Sequence, residues 1–170
     1  MISPEYLAEQ QRLHENPQYG VASVKFAPIV ARLIKDNGWI SVHDYGAGKC
    51  RLRDCLAGLP IAYSASDPAF PEYGSPQPAD LVCCIDVLEH IELTYLDAVL
   101  NDLRDITRGV GFYTVHTRAA LKTLSDGRNA HLIQKPASWW LPRLCERFEI
   151  NHLSSVSGGF WVLVTAKTLD

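Results

Sequence analysis

The chain reads as a doubly wound α/β domain. Its sheet is expected to be mostly parallel, shortened in the third-strand region and finished by an antiparallel C-terminal strand pair. Three observations predict this. A short apolar run from Ile40 leads into Asp44-Tyr45-Gly46-Ala47-Gly48. A second run, Ile61 to Ser66, ends in Asp67, nineteen residues after Gly48. A third, Leu81 to Ile85, ends in Asp86-Val87-Leu88-Glu89-His90. An acid about 20 residues beyond a Gly-rich strand-to-helix turn is the layout of a Rossmann-type nucleotide site. Strands alternating with helices, then a closing strand pair, give a Rossmann-like sheet with one antiparallel edge.

The elements follow in order. Tyr6 to His14 reads as a helix, with Ser3 as N-cap and Pro4 at its first position. Asn16-Pro17-Gln18-Tyr19-Gly20 breaks it. Phe26 to Lys35 carries apolar residues at Phe26, Ile29, Val30, Leu33 and Ile34, which is helical spacing. Gly38 ends that helix through a left-handed cap. Ile40 to Tyr45 is the first strand, Arg51 to Ala57 a helix, and Ile61 to Ser66 the second strand. Pro68 to Pro78 holds four prolines and Gly74 in eleven residues and reads as a loop. Leu81 to Ile85 is continuously apolar, as a strand buried on both faces is. Leu93 to Ile106 is a helix, Gly109 to His116 a strand, and Ser138 to Phe148 a helix with Trp139-Trp140 in its core face. Glu149 to Val156 and Phe160 to Lys167 pair around Gly158-Gly159.

At 170 residues the chain is long enough for one full core. We expect a single domain over 1–170, with N-terminal helices or a lid at 1–38 and the Rossmann-like core at 39–170. Hydrophobic content of 47% and charged content of 21% are those of a globular protein. A net charge of −3 argues against a strong nucleic-acid surface. No apolar run spans a bilayer and the start lacks a signal-peptide pattern, so a cytoplasmic location is expected. The five cysteines form no CxxC pair, and the histidines show no metal-ligand spacing. Neither a metal nor a disulfide framework is expected.

The acidic strand ends carry a resemblance. Asp44-Tyr45-Gly46-Ala47-Gly48 is similar to the first motif of class I S-adenosylmethionine-dependent methyltransferases. Asp80 to Ile91, with Asp-Val-Leu-Glu-His-Ile at its end, resembles the fourth-strand motif of their small-molecule branch. The resemblance covers about Ser41 to Thr117. It implies S-adenosylmethionine as cofactor. Gly46 and Gly48 let backbone approach it closely. The resemblance gives Asp44 the methionine part, Asp67 the two ribose hydroxyls, and Asp86, Val87 and Leu88 the methionyl amine and the sulfonium. A carboxylate offers two acceptor oxygens to two hydroxyl donors. Cys50 stands where a third glycine would. That family places a helix and a third strand near Pro68 to Pro78; one or both are expected to be shortened or missing. No residue there matches an adenine contact.

Substrate chemistry is expected after the strand ending at His116. The segment 116–131 is polar, basic and long, and such loops are often functional. Methyl transfer to oxygen needs a base, and His131, His116 and His90 are the candidates. Arg118, Lys122 and Arg128 could hold an anionic acceptor. The N-terminal segment with His14, Tyr19 and Lys25 forms a lid in similar proteins, so Tyr19 is a further candidate contact. The Asp/Asn-Pro-Pro-Tyr and Pro-Cys motifs of DNA methylation are absent, which leaves a small molecule, free nucleotide or sugar as acceptor and duplex DNA disfavoured. Two other readings stand beside this one: a methyltransferase-like binding or regulatory module without turnover, and an NAD-linked Rossmann enzyme. The missing third glycine weighs against the latter.

Overall fold

The computed structural model describes residues 2–168. Its helices are α1 (Pro4–His14), α2 (Ala22–Asn37), α3 (Arg51–Cys55), α4 (Leu96–Ile106) and α5 (Ala137–Cys145). Its strands are β1 (Ser41–Tyr45), β2 (Ala62–Ser66), β3 (Ala79–Cys84), β4 (Thr107–His116), β5 (Phe148–Val156) and β6 (Gly159–Ala166). They form one six-stranded sheet in the order β2-β1-β3-β4-β6-β5. β2, β1, β3 and β4 run parallel, and β6 pairs antiparallel with both β4 and β5.

The alternation of side chains along each strand splits the core into two layers. Leu81, Cys83 and Phe112 face α2 and α3, where Phe26, Val30, Ile34 and Leu52 cover them. Val82, Cys84, Tyr113 and Val115 face α4 and α5, under Leu96, Leu100, Leu103, Trp140 and Leu144. β3 is buried on both faces, which is why its sequence is an unbroken apolar run. Between β2 and β3 only a single 3₁₀ turn, Pro71–Tyr73, stands where the larger fold has a helix and a strand.

Several boundaries differ from expectation: α3 stops at Cys55, a 3₁₀ turn Leu93–Tyr95 precedes α4, and β4 starts at Thr107. Two further differences have identifiable reasons. α2 begins at Ala22 rather than Phe26, although Pro28 lies inside it and cannot bond the Val24 carbonyl. Burial of Phe26, Ala27, Val30 and Ile34 offsets that lost bond. α5 ends at Cys145 because Phe148 turns inward as the first residue of β5, its ring 5.4 Å from that of Tyr113. Among the described residues no helix is long and apolar enough to cross a membrane.

Candidate functional site

Asp44, Asp67, Asp86 and His116 all reach the carboxyl edge of the parallel strands, where such sheets place their ligands. A cavity opens there, lined by Asp44, Gly46, Gly48, Asp67, Asp86, Val87, His90 and Glu92 from the sheet side, and by Tyr6, Gln10, His14 and Tyr19 from the N-terminal segment. Among the described residues its lining holds four carboxylates and no Lys or Arg. A second cavity adjoins it and shares Gly46, Asp67, Pro68, Val87 and Ile91; Pro71, Ser75 and Pro76 extend it along the proline-rich loop, and Asp102 lines it from α4.

The glycine turn is built for close approach. Gly46 has φ 72°, and a Cβ there would lie 2.5 Å from a Val87 methyl. Gly48 has φ 51°, and a Cβ there would press on the His14 ring at 2.9 Å. Cys50, in the place of a third glycine, takes a φ of 53° despite its side chain. Such a left-handed residue costs roughly 1–2 kcal/mol.

Each acid is held differently. Asp44 is 3% exposed and accepts the Tyr63 hydroxyl at 2.5 Å. Burial raises its carboxyl to about 7, against an ordinary 3.8. Asp67 accepts the Gly48 N–H on Oδ2 and the Ala69 N–H on Oδ1, both at 2.8 Å, which ties β2 to the glycine turn. Burial raises its carboxyl above the usual range as well. Asp86 takes a φ of 60°, in the left-handed region, and its N–H donates to Thr114 Oγ1 at 2.9 Å. Strained backbone of this kind clusters at functional sites. Val87 lines both cavities, whereas the Leu88 side chain lies wholly in the core under α4.

Behind Asp86 the structure gathers three histidines and a buried acid. The rings of His90 and His131 lie 4.8 Å apart, and those of His131 and His116 4.9 Å. His90 Nδ1 is 2.8 Å from the Ala130 carbonyl, and His131 Nδ1 is 2.6 Å from the Arg118 carbonyl. A carbonyl only accepts, so both Nδ1 atoms carry hydrogen, and in the neutral form of each ring Nε2 then carries the lone pair. Burial pushes the His90 imidazole down to about 4, so it is neutral. Glu89 is fully buried; its Oε1 accepts the His116 N–H at 2.7 Å, and its Oε2 has no partner. Burial and the adjacent Asp86 carboxylate drive the Glu89 carboxyl well above its ordinary range.

The three candidate bases thus meet in space, but the basic candidates do not join them. Arg118 is exposed and contributes its carbonyl. Lys122 lies over the Tyr19 ring at 5.0 Å, and Arg128 is paired with Asp126 at 2.6 Å. None of these three lines the cavity. Sequence reasoning missed Tyr6, Gln10 and Glu92. The Tyr6 hydroxyl, Gln10 Nε2 and His14 Nδ1 are buried without hydrogen-bond partners at the cavity wall. In the sequence Tyr6 and Gln10 look like ordinary positions of an amphipathic helix.

No known protein-family profile matches the chain, and no curated protein matches it in sequence. Solved structures do match it in fold. The 1,6-didemethyltoxoflavin-N1-methyltransferase of Burkholderia thailandensis, solved with 1,6-didemethyltoxoflavin and S-adenosylhomocysteine, superposes with a TM-score of 0.67 at 18% identity. That match covers 100% of this chain and 92% of the other. Magnesium protoporphyrin IX methyltransferase from Synechocystis PCC 6803, with bound S-adenosylhomocysteine, gives 0.61 at 16% identity over 96% and 95%. A mitomycin 7-O-methyltransferase gives 0.67 at 11% identity, covering 94% of this chain and 61% of that one. The sheet order, the glycine turn and these superpositions agree: the chain has the Rossmann-like fold of the class I S-adenosylmethionine-dependent methyltransferases.

Proposed function

We propose that this protein transfers a methyl group from S-adenosylmethionine to an oxygen or nitrogen of a small molecule. One observation carries the choice of cofactor: the cavity at the carboxyl edge is lined by Asp44, Asp67, Asp86 and Glu92 and, among the described residues, by no basic side chain. S-adenosylmethionine brings an ammonium and a sulfonium and no phosphate. Carboxylates in a partly desolvated wall favour those charges. A dinucleotide brings a pyrophosphate, which needs backbone donors and a helix N-terminus free of acids.

The residues take the following parts. Asp67 accepts the ribose hydroxyls on the lone pairs its two backbone bonds leave free. Asp44 faces the methionyl ammonium. Asp86 lies toward the sulfonium, where it balances the charge that methyl transfer removes. The adjoining cavity along Pro68, Pro71 and Pro76 takes the adenine. The lone pairs of Asp86, His90 and His131 lie at the acceptor end, where a hydroxyl must lose its proton. The similar structures act on small molecules at an N1 and a 7-O position, which supports a small acceptor here. Five free thiols fit a cytoplasmic setting.

The test is transfer of labelled methyl from S-adenosylmethionine across a panel of small hydroxylated and aminated acceptors, with direct binding of the cofactor measured alongside. Saturable cofactor binding with label in at least one acceptor is the expected result. No binding would sink the reading.

A further inference from the structure

We propose that Asp86, His90 and His131, with the buried Glu89 behind them, form a binding site for a divalent transition-metal cation at the acceptor end of the cavity. Asp86, His90 and His131 each offer one ligand atom, and these atoms lie within 4.8 Å of one another. Ligands held at about 2.1 Å from one ion sit about 3.4 Å apart in a tetrahedron. Small side-chain rotations close that difference.

Two independent features point to an ion. The first is the histidine tautomers. His90 and His131 each spend Nδ1 on a backbone carbonyl, at 2.8 and 2.6 Å, and leave Nε2 as a lone pair. Metal-ligating histidines are held in this way, with the second ring nitrogen donating to a carbonyl or carboxylate. The second is Glu89. Its side chain is fully buried against the Asp86 carboxylate, and its Oε2 lacks any hydrogen-bond partner. A buried carboxyl oxygen left without a partner, beside the half-buried Asp86, is one that a cation bound at this place would satisfy. The backbone supports the same arrangement. The Ile133 N–H donates to the Glu89 carbonyl at 3.0 Å, and Asn129 Oδ1 accepts the His131 N–H at 2.9 Å. These bonds fix the loop that brings His131 to His90.

The donor set selects the ion. Two imidazoles with carboxylates favour Mn²⁺, Fe²⁺, Co²⁺ or Zn²⁺ over Mg²⁺ and Ca²⁺, which take oxygen ligands. Asp86 and His90 also line the main cavity, so an open coordination position faces the acceptor. On the methyl-transfer reading above, that position takes the acceptor hydroxyl, and with the ion bound the three ligands act through it rather than as bases themselves. The ion lowers its pKa, and the proton leaves to water. The oxygen then bonds the methyl carbon as the carbon–sulfur bond breaks, and its electron pair stays on sulfur. S-adenosylhomocysteine leaves as a neutral thioether.

The experiment uses the full chain stripped with a chelator, then titrated with Co²⁺, Zn²⁺, Mn²⁺ and Mg²⁺. Thermal stability and the visible absorption of bound Co²⁺ are read for the wild type, His131→Ala and Glu89→Gln. A cooperative thermal melt serves as the check that each variant is folded, and S-adenosylhomocysteine binding is measured alongside. The expected result is a stoichiometric Co²⁺ spectrum in the wild type and a thermal shift with Co²⁺ or Zn²⁺ that exceeds the shift with Mg²⁺. In folded His131→Ala, Co²⁺ affinity falls at least about tenfold, as even outer-sphere changes cost 10–100-fold. The absence of a Co²⁺ spectrum in wild type that binds S-adenosylhomocysteine would overturn the site. So would unchanged Co²⁺ binding in both variants. Co²⁺ binding lost in the variants, in a chain that does not bind S-adenosylhomocysteine, would uphold the metal site and remove the methyl-transfer reading instead.

Discussion

Asp44 is the residue whose environment does most to couple the site to pH. Burial lifts its carboxyl to about 7 from an ordinary 3.8. The folded chain therefore favours the protonated form. Its contribution to stability is full below about pH 3.8 and is lost as pH rises through about 7. A ligand ammonium beside it reverses the preference, so cofactor binding below pH 7 must release a proton. S-adenosylhomocysteine affinity is expected to weaken by up to about tenfold per pH unit below about 7. Asp44→Asn, which still accepts from the Tyr63 hydroxyl, flattens that dependence; calorimetry in buffers of different ionisation enthalpy reads both. Gly46 makes a steric prediction. Gly46→Ala drives a methyl onto Val87, 2.5 Å away, at a φ of 72°. The expected cost is about 1–3 kcal/mol of stability together with lost cofactor binding. Val87→Ala in the same chain recovers part of the stability, because it removes the collision but not the left-handed strain. A full recovery would show that strain is negligible there.

At the scale of elements, α1 is a cover held at its N-cap and at its middle. The Ser3 N–H and hydroxyl donate to Glu92 at 2.8 and 2.7 Å, and Glu9 accepts from the Ser125 N–H at 3.0 Å. Tyr6 and Leu13 pack on Leu124 and Ala130 of the 117–135 loop. Glu92→Ala is expected to speed amide exchange across residues 4–14 and to raise the dissociation rate of S-adenosylhomocysteine, with core strands β1 and β3 unaffected. Hydrogen exchange by mass spectrometry resolves the two. Equal loosening of β3 would mean a global effect instead. The elements that were legible in the sequence are those whose period is dictated by burial: β1, β3 and α4 read directly from their apolar runs, and the edge strand β2, largely half-exposed, from its place before Asp67. Asp44, Asp67 and Asp86 read directly because each ends such a run. The histidine cluster was legible only in part. His90, His116 and His131 stand out as polar residues, but 41 positions separate His90 from His131. Their meeting depends on Asn129 bridging Ala120 and on the Arg118 carbonyl, which no local pattern encodes. Glu89 reads as a helix-start acid, yet it is buried because the short turn Leu88–His90 points it back beneath β4.

For the whole molecule, the sheet is a double-faced core with an acidic mouth at one edge. Its stability rests on the two helix layers, so Leu100→Ala, on the inner face of α4 at 0% exposure, is expected to cost about 2–5 kcal/mol without altering cofactor affinity in the fraction that folds. On the proposed function, the acidic mouth selects the cofactor. Thermal stability with S-adenosylhomocysteine and with NAD, in the wild type and in Asp67→Ala, tests that claim most directly. The expected result is a shift with S-adenosylhomocysteine, about 2.7 kcal/mol at a hundred times its dissociation constant, that is lost in Asp67→Ala, and no shift with NAD. A shift with NAD alone, or an S-adenosylhomocysteine shift that survives in Asp67→Ala, would contradict it.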